Sequence, residues 1–63
     1  MDIRVHLVVT TEDYTLVCFS DRRGCHFEVI NRLGFIHHGD RVFPNPTAAE
    51  WGGREWIRAN SRS

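Results

Sequence analysis

Apolar and polar residues alternate along I3-R4-V5-H6-L7, Y14-T15-L16 and C25-H26-F27-E28-V29, and clusters of turn formers separate these runs. Successive side chains of a strand point to opposite faces, so a period of two predicts strands with one apolar side. The turn words are D21-R22-R23-G24 and N31-R32-L33-G34, nearly the same four letters twice. An Asp or Asn opening a type I turn bonds the backbone ahead of it, and a Gly at the fourth position takes the left-handed conformation that closes such a loop.

Each word sets a register. A loop over Asp21 to Gly24 pairs Ser20 with Cys25 and Cys18 with Phe27. A loop over Asn31 to Gly34 pairs Ile30 with Phe35 and Val29 with Ile36. A third loop, Thr10 to Asp13, lacks a Gly and pairs Val9 with Tyr14, Leu7 with Leu16 and Val5 with Cys18. One face then collects Ile3, Val5, Leu7, Val9, Tyr14, Leu16, Cys18, Cys25, Phe27, Val29 and Ile36, with His38 at its end. This agreement predicts an antiparallel meander of three to four strands within residues 2 to 43. A rival makes residues 25 to 33 a helix, with Phe27, Ile30 and Leu33 on one side and Gly34 as its left-handed cap.

H38-G39-D40-R41 reads as a turn into a short extended R41-V42-F43, and Pro44 and Pro46 end strand pairing. Asn45 can cap a helix with Pro46 at its first position, or Thr47 can cap it with Glu50 three residues on. Either start predicts a helix over residues 46 to 60 whose inner side carries Ala49, Gly52, Gly53, Trp56 and Ile57. The Gly pair implies close approach to the sheet. The expectation is thus one small α+β domain, a meander followed by one C-terminal helix packed on one face. That architecture resembles the plant ethylene-response-type DNA-binding domain, none of whose motif residues matches here, so no function carries over.

Charge changes the picture little. Residues 1 to 31 carry three Arg against five acids, and residues 32 to 63 carry five Arg against three, so the chain is neutral overall. It lacks the strong basicity of a typical nucleic-acid binder, and its 41% hydrophobic content sets it apart from disordered chains. No apolar run approaches the ~18 residues that cross a membrane, and a cytoplasmic location is the expectation.

Cys18, Cys25, His26, His37 and His38 invite a zinc reading. In the meander the two Cys are diagonal core neighbours roughly 7 to 8 Å apart, and His26 and His37 point the other way. The six residues between the Cys exceed the two to four of ordinary zinc knuckles. Neither a metal nor a cofactor is expected. Glu28 is expected opposite His37, an ion pair with no Ser or Cys nucleophile beside it, so no enzyme is expected either.

Two surfaces remain. The second sheet face carries Val8, Val17, Phe19, Ile30 and Phe35 among polar residues, a patch suited to a protein partner or to a homodimer. The outer side of the helix carries Trp51, about 160° from the buried centre, beside the row Arg54, Arg58 and Arg62. Trp and Arg dominate binding hot spots, and the same row suits stacked bases and phosphates. The expected function is a protein-binding module, a small regulator or inhibitor of a larger complex such as phages and mobile elements encode. The alternative is a nucleic-acid-binding module built on Trp51 and the Arg row.

Overall fold

The computed structural model describes residues 2–60. In chain order come β1 (Arg4–Thr10), β2 (Tyr14–Asp21), β3 (Gly24–Asn31), β4 (Ile36–His38) and α1 (Pro46–Asn60). The strands form one antiparallel sheet in that same order, and α1 packs on β2 and β3. The meander with one C-terminal helix is therefore the fold, and residues 25 to 33 belong to a strand and its turn, not to a helix.

The β2–β3 hairpin has the register its turn word predicts, Ser20 opposite Cys25 and Cys18 opposite Phe27. Asp21 Oδ1 accepts from the Arg23 amide at 2.8 Å, and Gly24 closes the turn at φ +141°. The β3–β4 connection differs by one residue. Ile30 faces Ile36, Val29 faces His37 and Glu28 faces His38. Asn31 enforces the longer loop: its Oδ1 accepts from the amides of both Leu33 and Phe35 (2.9 and 3.0 Å), and its own amide donates to the Phe35 carbonyl at 2.9 Å. A slip of one residue exchanges the two faces of a strand. His37 therefore turns to the helix side, and Ile36 and His38 turn away from it.

β1 also departs from expectation. Val9 pairs with Leu16 and Leu7 with Cys18, two residues from the predicted register, which leaves faces unchanged. A bulge between Val5 and Leu7 then sets Val5 opposite Phe19, so Val5 joins the second face and is 56% exposed.

Leu16, Cys18, Phe27 and Val29 form the buried centre, ringed by Leu7, Tyr14, Phe43, Trp56 and Ile57. The inner side of α1 is the one expected. Ala49 is fully buried, and a Cβ on Gly53 would run into Leu16 Cδ1 while one on Gly52 would run into Phe43 Cζ. Asn45 is the cap, its Oδ1 accepting from the Ala48 amide at 2.8 Å. Phe43 exchanges two backbone hydrogen bonds with Cys25, 2.8 and 3.0 Å, and the Gly39 amide donates to the Phe27 carbonyl at 3.0 Å. The outer edge of β3 is thus shared between β4 and the approach to the helix. Among the described residues no helix is long and apolar enough to cross a membrane.

Candidate interaction surface

The second sheet face is a grid of three cross-strand rows. One runs Val5, Phe19, His26; the next runs Val8, Val17, Glu28, His38; the third runs Thr10, Thr15, Ile30, Ile36. The segment 41 to 43 lies along the β3 edge, with Phe43 packed against the core cluster on the helix side. Val5, Val8 and Ile36 are each more than half exposed, and Val17, Phe19 and Ile30 are half-buried.

The acids on this face are each paired with a His. His38 Nδ1 donates to Glu28 Oε2 at 2.6 Å, and His26 Nε2 donates to Asp21 Oδ1 at 2.9 Å. The second bond holds the Asp21 carboxyl below its ordinary value, with the Arg23 amide adding to the effect. His26 also lies over the Phe19 ring, centroids 5.3 Å apart and planes 25° apart. The partner of Glu28 is therefore His38 and not His37. Its row neighbours are Val17 and Val8, so the pair has no hydroxyl or thiol in its own row.

The expected residues divide between several places. Val17, Phe19 and Ile30 share the second face. Phe35 does not: it lies in the β3–β4 loop, 70% exposed, and lines a cleft on the helix side with Tyr14, His37 and Trp56. Trp51 is 64% exposed on the outer side of α1, at the rim of a cleft with Phe43, Arg41 and Glu55. Arg54 and Arg58 line the other flank of the helix with Val9, Leu16 and Ile57. Arg54 donates to Glu50 at 2.8 Å and Arg58 to Glu55 at 2.7 Å. Arg62 lies outside the described residues. The helix surface and the second face are on opposite sides of the sheet, so they are two surfaces and not one site.

Val5, Ile36 and His38 belong to the second face although alternation placed them on the other. The signal for Ile36 and His38 was Asn31, whose side chain can hold two amides and so lengthen the loop. Cys18 and Cys25 are free and buried, and burial pushes the Cys18 thiol up, with Glu50 adding to the rise. Among the described residues no three His, Cys, Asp or Glu side chains gather as a metal site would require.

Fold and surface together define a small α+β domain in which, among the described residues, one face of the sheet is covered by the helix and the other is bare. Comparison with known proteins found no matching family model, no similar curated protein and no similar solved structure.

Proposed function

We propose that this chain is a non-enzymatic protein-binding module that docks its partner on the second sheet face. The observation that carries the reading is the uncovered apolar grid from Val5 to Ile36, on which both acids are already paired with histidines. A contiguous apolar patch without unpaired charge suits a protein surface of like character. It does not suit a polyanion, whose binding needs free cations. A module of this kind acts by occupying its partner, as a small regulator or inhibitor does.

The experiment compares wild type with Val17→Glu and Phe19→Ser, all three confirmed folded by circular dichroism, as immobilised baits for proteins of the native lysate at low and high salt. A protein held by the wild type at both salt concentrations and lost with either variant supports the reading. Retention that ignores both variants and falls log-linearly with salt overturns it in favour of nucleic-acid binding. Sedimentation of the same variants tests self-association through this face.

A further inference from the structure

β1 is a sparsely covered strand with no buried residue. The helix rests on β2 and β3, Val5 and Val8 are more than half exposed, and Leu7 and Val9 on the helix side are only half-buried. A cleft of about 480 Å³ opens beside Val9, Leu16 and Ile57. As the first strand in the sheet order, β1 also has an outer backbone edge with no partner among the described residues. The Thr11 amide donates to the Tyr14 carbonyl at 2.8 Å, and bonded and non-bonded pairs alternate along an antiparallel ladder. With Val9 opposite Leu16, the N–H and C=O groups of Val8 and Thr10 therefore point away from β2.

Edge strands ordinarily discourage further pairing with Lys, Pro, inward-pointing charges or bulges. R4-V-H-L-V-V-T10 contains no Lys, Pro, Asp or Glu. Its bulge lies between Val5 and Leu7, which leaves Leu7 to Thr10 regular. We propose that this edge pairs with the β1 edge of a second copy, antiparallel about a twofold axis through Val9, joining two sheets into one of eight strands.

The stretch is self-complementary in that register. Val8 of each chain meets Thr10 of the other, Leu7 meets Thr11 and Val9 meets Val9. No charged side chain faces its like, and the bulge falls outside the paired segment. The outward groups of Val8 and Thr10 are satisfied in both chains, and the half-buried Leu7 and Val9 gain cross-strand neighbours. The inference does not depend on the second-face reading, and the variants that test the edge, at Val9 and Thr10, leave Val17, Phe19, Ile30 and Ile36 untouched.

Sedimentation equilibrium from about 10 μM to about 1 mM, the range in which small interfaces associate, should show wild type passing from monomer to dimer. Thr10→Pro removes an outward N–H without removing a β1–β2 ladder bond, and should weaken the dimer at least about tenfold with the circular dichroism spectrum retained. Val9→Cys places two thiols across the axis in a non-bonded pair, where Cα atoms approach to about 4.5 Å, and should give a disulfide-linked dimer under mild oxidation. Wild type, with Cys18 and Cys25 buried, should not. Wild type that stays monomeric throughout overturns the proposal. So does a folded Thr10→Pro variant that dimerises as tightly, or a dimer lost with Phe19→Ser but kept with Thr10→Pro. Should Thr10→Pro fail to fold, the crosslink decides: a Val9→Cys protein that forms no linked dimer overturns it.

Discussion

His37 lies flat on the indole of Trp56, with ring centroids 4.1 Å apart and planes 15° apart. Tyr14 meets the same indole edge-on at 6.3 Å, and the Phe27 ring approaches His37 at 6.2 Å. The imidazole thus closes an aromatic row that runs from the sheet to the last turns of α1.

Removing that imidazole should loosen the row. His37→Ala is expected to destabilise the domain by about 1 kcal/mol for the lost ring contact, beyond the area exposed. His37→Phe should retain most of it. Urea unfolding of the two variants checks this, with Trp56 emission read in a Trp51→Phe background. Equal midpoints for Ala and Phe would show that the stack contributes nothing.

The helix glycines should resist enlargement. Gly53 faces the buried Leu16 and the Phe27 ring, while Gly52 faces the half-buried Phe43. Better helix propensity returns about 1 kcal/mol, yet overpacking costs about 1–3 kcal/mol. Gly53→Leu should therefore lower the melting temperature, and Gly52→Leu should lower it less because Phe43 has room at the surface. A raised melting temperature in both variants would contradict the packing described.

The two tryptophans should behave differently. Trp51→Ala is expected to change stability by no more than ~0.5 kcal/mol, as exposed positions do. Trp56→Ala should cost about 3 kcal/mol or more, through lost contact with Tyr14 and His37. Acrylamide should quench Trp51 strongly in a Trp56→Phe protein and Trp56 weakly in a Trp51→Phe protein. The reverse order would invert the helix.

Acid should act partly through Asp21. The hydrogen bond from His26, followed by that from the Arg23 amide, lowers its folded pKa beneath the unfolded value. A depressed carboxyl contributes stability that is present above the unfolded pKa and lost as pH falls through the folded one. The loss should therefore begin near about pH 4, the ordinary Asp range, and deepen below it. Asp21→Asn should be less stable than wild type at neutral pH and converge with it in acid. Urea midpoints at several pH values measure this, and a difference that stays constant down to pH ~2 would remove the His26 pairing as its cause.

At the first turn word Asp21 accepts from the Arg23 amide and Gly24 takes the positive φ that closes the loop, so the register could be read from the letters. Where Asn31 bonds two amides, the apolar Phe35 looked like a strand residue although it belongs to the loop, and every face beyond it was exchanged. The bulge at the start of β1 left no mark, since V5-H6-L7 alternates as well in one register as in the other. The helix was legible in full because Asn45, Pro46 and the inner row Ala49, Gly52, Gly53, Trp56 and Ile57 all specify the same segment. Of the surface residues, Trp51, Val17, Phe19 and Ile30 could be read from alternation and the helical period. The pairing of Arg54 and Arg58 with acids on their own helix depended on rotamers that spacing does not choose.

Phe43 is tied to Cys25 by two backbone bonds, and only Pro44 separates it from the cap Asn45. The helix is thereby moored to the strand at its start as well as packed upon it along its length. Detaching α1 moves Phe43 out of the core and strips the β3 edge in the same event. Amide protons of Cys25, Phe43 and the middle of α1 should then exchange with solvent at one shared opening free energy, while those of Val8 and Thr10 in an isolated chain exchange almost at once.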